Sequence, residues 1–101
     1  MAGLGALAAL LSAPAFADPK ADMARAEEIV SGRCFLCHGM EGEAASQVFP
    51  RLAGQHSEYV AKQLADFKSG KRKSESMKAQ VEELTPAEMK ALGMFFEKKK
   101  A

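Results

Sequence analysis

The stretch that decides the fold is Ser31-Gly32-Arg33-Cys34-Phe35-Leu36-Cys37-His38-Gly39. Its two cysteines are the only ones in a chain of 101 residues, and a histidine follows the second directly. Two cysteines this close make a poor structural disulfide, because the loop they close constrains the unfolded chain very little. On a tight helical turn, however, both thiols can add to the vinyl groups of one porphyrin. The imidazole after them then faces the iron. C-x-x-C-H is the attachment signature of a c-type haem: Cys34 and Cys37 form the thioethers, and His38 is the proximal ligand.

Two other chemistries fit less well. A redox dithiol follows a strand in a βαβ setting, and no strand pattern precedes Cys34. A zinc site needs four ligands. Cys34, Cys37, His38 and His56 can be counted, but Cys37 and His38 are adjacent and the spacing matches no common finger.

Working outward, the residues before the motif read as one helix from Ala21 to about Cys34. Met23, Ala26, Ile29 and Val30 recur at three- and four-residue spacings, Asp22 is available as a cap, and Gly32 leaves a small surface for close approach. Residues 39–56 show no sustained period and contain Gly, Pro and Ser, so they read as an ordered loop that wraps something. Ser57 can cap a second helix with Val60, Ala61, Leu64 and Phe67 on its apolar side, and Gly70 stops it. A polar, charged segment, Lys71–Ser76, leads to Met77. The last helix has the clearest start: Thr85 at the N-cap, Pro86 at the first helical position and Glu88 at the third, a capping box. Met89, Leu92, Phe95 and Phe96 form its buried side.

The first seventeen residues, MAGLGALAALLSAPAFA, are uncharged and apolar and end in Ala-Phe-Ala. They read as a secretory signal cleaved after Ala17, although no Lys or Arg precedes the apolar run. A membrane anchor would need about 20 apolar residues, so no span is expected after cleavage. Residues 18–101 are then one small domain, in an oxidising periplasmic compartment. The formal net charge is +1, which supplies no field for nucleic acid.

The sixth position on the iron has several candidates: His56 and the five methionines after the leader. Met40 lies too near His38 to reach the opposite haem face. Met23, Met89 and Met94 fall on helical apolar faces and read as core. His56 reads as an ordinary loop histidine. Met77, an isolated thioether in a polar segment, is assigned as the ligand.

Taken in order, several motifs make this chain resemble the class I c-type cytochromes, and among them the c4/c553-type bacterial electron carriers. They are Cys34-Phe-Leu-Cys37-His38-Gly39, Pro50-Arg-Leu-Ala-Gly-Gln55, Tyr59 through Gln63-Leu64, Phe67 and Gly70. Met77 seven residues before Leu84-Thr85, and Leu92-Gly-Met-Phe-Phe96, complete the set. The resemblance implies an all-α fold with three main helices and loops wrapped around one covalent haem. It implies that the Pro50 carbonyl accepts a hydrogen bond from His38, that Arg51 lies near a haem propionate, and that Tyr59 and Gln63 line the pocket or cap a loop. It implies a close crossing of the first and last helices at Ala26 and Gly93. Members of the c4 group carry two haems on two such domains; one motif here corresponds to one domain.

The function implied is single-electron shuttling through a His/Met-ligated haem c, without catalysis, between membrane or periplasmic oxidoreductases, as a monomer or weak dimer. Lys62, Lys68, Lys71, Arg72 and Lys73 form a candidate docking surface for acidic partners, with a plain solvated surface as the alternative. A haem-bearing subunit of a periplasmic dehydrogenase complex is the second reading. A haem protein with an open sixth site is a third, disfavoured because the four-helix cytochromes of that kind carry the motif near the C-terminus.

Overall fold

The computed structural model describes residues 19–101, and all the regular structure among them is helical. The proposed leader and its cleavage site lie outside the described residues. Helix α1, Pro19–Ile29, runs without interruption into a π-helical turn, Val30–Cys34, and then into α2, Phe35–His38. The long helices α3, Ser57–Ser69, and α5, Pro86–Glu97, follow, with the short α4, Glu75–Val81, between them. No helix among the described residues is long and apolar enough to cross a membrane.

The first helix departs from its expected form at Val30. The Phe35 N–H bonds to the Val30 carbonyl, five residues back. A π turn of this kind inserts one extra residue and re-aims everything after it. The insertion falls at Ser31-Gly32, where helix propensity is low, and it sets the orientation of Cys34, Cys37 and His38. Gly39 ends the run with φ +81. A side chain there would be strained by that backbone and would also meet the Glu43 carboxylate.

Helix α5 starts as its sequence requires. The Thr85 hydroxyl accepts the Glu88 N–H at 3.1 Å, and the Glu88 carboxylate accepts the Thr85 N–H at 2.9 Å. That carboxylate also takes the Arg25 guanidinium of α1 at 2.9 Å. The cap of one helix is therefore also its tie to another. These hydrogen bonds, the backbone one first, hold the Glu88 carboxyl below its ordinary value.

The core is centred on α5, on which α1 and α3 each pack. Ala26, Ile29, Val30, Phe67, Met89, Leu92, Phe95 and Phe96 are buried, as their spacing predicts. Met23 and Leu64 are partly buried against them. The expected packing of the first and last helices is present, and Gly93 in addition allows a close approach by α3. The nearest atoms to a Cβ built there are the backbone of Ser57, with its carbonyl oxygen closest. Gly93 thus admits the first turn of α3, and Ala26 is fully buried in α1. The reason is topological: α5 is packed on both faces, and helical periodicity does not say which neighbour receives which face.

The second departure is α4. Lys71–Ser76 reads as a polar segment, but Ser74 caps a helix that begins at Glu75, accepting the Met77 N–H at 3.3 Å. Met77, Val81 and Leu84 follow at four- and three-residue spacing; Val81 and Leu84 are buried and Met77 is partly buried against the core. Met77 is therefore not an isolated thioether in a polar stretch. It sits in the first turn of a short amphipathic helix.

Candidate haem site

The site is built on the end of the π turn, α2 and the loop after it. Cys34 and Cys37 are partly buried thiols with no disulfide. Burial pushes the Cys34 thiol above its ordinary value, against the opposing pull of Arg33 and a backbone hydrogen bond. His38 is 8% exposed, the one buried polar side chain of the core among the described residues.

What holds His38 is the loop 39–56, which turns back over the end of α2. Ala44 and Ala45 donate their N–H groups to the His38 and Cys37 carbonyls at 2.7 and 2.8 Å. Leu52 and Ala53 both donate to the Gly42 carbonyl, at 2.8 and 3.1 Å. Gly42 is buried in that fold-back: a Cβ there would lie 2.6 Å from Ala53 N and 2.9 Å from the Phe96 ring. Gly54 then donates to the Phe96 carbonyl at 2.9 Å and ties the loop to the end of α5. The loop is ordered because its backbone is hydrogen-bonded, without a regular element.

The turn delivers the Pro50 carbonyl to His38, where Nδ1 lies 2.8 Å from the oxygen. A carbonyl oxygen only accepts, so Nδ1 carries the proton. In the neutral ring Nε2 is then left with a lone pair. A ligating imidazole is usually held in this way, by its second nitrogen, which fixes the ring and raises its basicity.

The other candidates are spread over separate elements. Arg51 is exposed and, with Glu43, Ala44, Ser46, Gln47 and Phe49, lines a shallow surface hollow. Tyr59 is half exposed in the first turn of α3. Gln63 accepts a hydrogen bond from Arg72 at 2.6 Å. Cys34 and Met77 border the same apolar core from different elements. His56 stands apart at the start of α3, with its side chain 88% exposed and 3.8 Å from the Glu97 carboxylate. No group of three or more His, Cys, Asp or Glu side chains among the described residues could hold a bare metal ion, so the zinc alternative has no support.

The donor set fits a covalent porphyrin. Two unpaired thiols three positions apart stand next to an imidazole whose Nδ1 is already committed. Phe35, Leu36, Val48, Phe49 and Tyr59, in and after the same segment, leave large apolar surface exposed. A helical domain with this arrangement defines a class, the c-type haem proteins.

Comparison with known proteins agrees. The family model described as cytochrome c matches residues 23–98. Cytochrome c4 of Thiocapsa roseopersicina is 40% identical over 85 residues, covering 84% of this chain and 42% of that protein. The cytochrome subunit of sulfide dehydrogenase of Chlorobaculum tepidum is 36% identical over 69 residues, covering 68% and 62%. The crystal structure of reduced recombinant cytochrome c4 from Pseudomonas stutzeri superposes with a TM-score of 0.70 at 30% identity, covering 79% of this chain and 48% of that one. The chain thus spans less than half the length of these c4 relatives. It belongs to the cytochrome c family, with its likeness to the c4 type, and covalent haem c with its iron is its cofactor.

Sequence reasoning missed Ser74, which caps the helix carrying Met77. The signal was present: a serine three residues before Met77, followed by the 77/81/84 apolar spacing. It also missed Arg33, whose guanidinium donates to the Gln80 carbonyl at 3.1 Å. No local pattern marks that pairing.

Proposed function

We propose that this chain is an exported one-electron carrier whose haem is held by thioethers to Cys34 and Cys37 and ligated by His38 and Met77. The observation that carries the reading is the 2.8 Å contact between His38 Nδ1 and the Pro50 carbonyl, which leaves the Nε2 lone pair of a buried imidazole free to bind iron. Bound haem supplies an iron that accepts and releases one electron. The protein's part would be to hold the two iron ligands, His38 and Met77, in either oxidation state. His38 is fixed by Pro50 and by the loop that wraps its backbone. Met77 offers a soft thioether from α4, and His/Met ligation raises the potential relative to two nitrogens. Pro50, Arg51 and Tyr59 would border the porphyrin. Export follows from the apolar leader with cleavage after Ala17, and supports a periplasmic location.

Redox proteins are the expected partners. Of the five cations proposed for docking, three are engaged within the chain. Lys62 pairs with Asp66 at 2.7 Å, Lys68 donates to the Leu84 carbonyl, and Arg72 bonds Gln63 and lies over the Phe67 ring. Lys71 and Lys73, both exposed, remain the better candidates for steering. The likeness to the cytochrome subunit of a sulfide dehydrogenase favours a second reading. In it, the chain is the haem-bearing subunit of such a complex. Isolation of the native protein as a free monomer would count against that reading.

The test of the ligand set is the optical spectrum of the ferric protein. The methionine-to-iron charge-transfer band should be present and should vanish in Met77→Ala. Its survival in the variant would refute the assignment. Rapid, stoichiometric carbon monoxide binding to the reduced parent protein would refute the closed six-coordinate carrier altogether.

A further inference from the structure

Helix α4 has only seven residues, about half the length that is marginally stable alone in water. Its last carbonyls have no partner inside the helix. The Val81 carbonyl accepts the Leu84 N–H at 3.0 Å, and the Gln80 carbonyl is met by a distant cation. Arg33, the residue before Cys34, donates to the Gln80 carbonyl at 3.1 Å across 47 positions of sequence. Lys68, near the end of α3, donates to the Leu84 carbonyl in the turn that follows α4. In return Lys78 of α4 donates to the Lys68 carbonyl at 3.2 Å. Positive charge at a helix C-terminus also suits its dipole. The short helix is thus held near its C-terminal end by the cysteine-bearing segment, while α3 bonds to Lys78 within it and to the turn that follows it. Ser74 fixes its N-terminal end.

We propose that Arg33 and Lys68 are positioning residues that clamp α4 and so hold Met77 against the iron. The proposal rests on the assignment of Met77 as a ligand of the iron. Its physical content is a population. An external ligand reaches the iron only when α4 and its methionine have moved away. Its apparent affinity is therefore its intrinsic affinity scaled by the open fraction. A hydrogen bond that exists only in the closed state lowers that fraction. Removing a hydrogen bond of ordinary net strength should raise the open fraction about three- to tenfold. The global fold need not weaken equally, because α4 can open while α1, α3 and α5 stay packed.

The experiment titrates ferric holoprotein with imidazole, following loss of the methionine–iron charge-transfer band, for the parent, Arg33→Ala, Lys68→Ala and Met77→Ala. Native-state hydrogen exchange of α4 and α5 amides is measured on the same samples. The expected result is imidazole affinity raised about three- to tenfold in Arg33→Ala and in Lys68→Ala, with faster exchange in α4 and unchanged protection in α5. Affinities within twofold of the parent overturn the clamp. So does an increase accompanied by equal loss of protection in α5, which reports general destabilisation. In both cases a band lost in Met77→Ala leaves the ligand assignment standing. A band that persists in Met77→Ala overturns the assignment and the clamp together. If Arg33→Ala yields no holoprotein, Arg33→Met, which keeps the aliphatic stem, takes its place.

Discussion

Replacing Gly93 by alanine tests the packing that brings α3 onto α5. Alanine is the better helix former by about 1 kcal/mol, so on propensity alone the change stabilises. The tertiary structure predicts the opposite. The new methyl carbon would fall well inside contact distance of the Ser57 carbonyl oxygen, with the Ser57 carbonyl carbon and Cα at 3.1 and 3.2 Å. A carbon and a carbonyl oxygen ordinarily settle at about 3.3–3.6 Å. The obstacle is backbone at the first turn of a helix, so no rotamer change relieves it, and α3 must retreat by roughly 1 Å. Overpacking of this kind costs about 1–3 kcal/mol. With the cost at the upper end, and the propensity gain subtracted, Gly93→Ala should lose roughly 1–2 kcal/mol.

In a domain of this size that corresponds to a fall in Tm of roughly 5–15 °C. Thermal and urea unfolding of the holoprotein, followed by far-UV circular dichroism, measures it. Gly70→Ala is the comparison. Gly70 ends α3 at φ +85 with no atom within 4 Å of a built Cβ. Its cost is backbone strain alone, about 1 kcal/mol. Parental or higher stability for Gly93→Ala would refute the argument, because it would show that the Ser57 carbonyl does not limit the approach of the two helices.

The capping glutamate gives a pH-dependent prediction. Glu88 is 19% exposed and its carboxyl is held below the ordinary 4.5 by the Thr85 N–H and by Arg25. A depressed carboxyl stabilises the fold above its unfolded value, and that contribution is lost as pH falls through the folded value. Glu88→Gln should cost on the order of 1 kcal/mol near neutrality, and the gap between parent and variant in urea titrations should shrink as the pH drops below about 4. A gap independent of pH would show that the charge contributes nothing. Leu92, 1% exposed at the centre of α5, should cost about 2–5 kcal/mol as Leu92→Ala, measured by the same unfolding curves. A loss under 1 kcal/mol would mean that the core is not centred on that helix.

Much of this protein was legible because its signals are local. The C-x-x-C-H spacing, the Thr85-Pro86-x-Glu88 capping box and the Gly70 stop each state a chemistry within five residues. The apolar spacing of α1, α3 and α5 identified most of the core for the same reason. Helix α4 was legible in principle. Its charged lead-in masked the serine cap and the 77/81/84 spacing, so Met77 stood out as isolated when it is the first apolar position of a helix.

The opening motif by itself determined the class of cofactor, since two thiols and an imidazole at that spacing have few other uses. It did not determine how the site is held. The Pro50 carbonyl reaches His38 only because a loop without periodicity is bonded back on Gly42, and the partner of Gly93 is Ser57 only because α5 is packed on both faces. The grip on α4 depends on Arg33 finding the Gln80 carbonyl across 47 positions of chain. In sequence, an arginine looks the same whether water or a distant carbonyl accepts its hydrogen bond. Long polar side chains carry no periodic signature, and their partners are chosen only when the helices have been brought together.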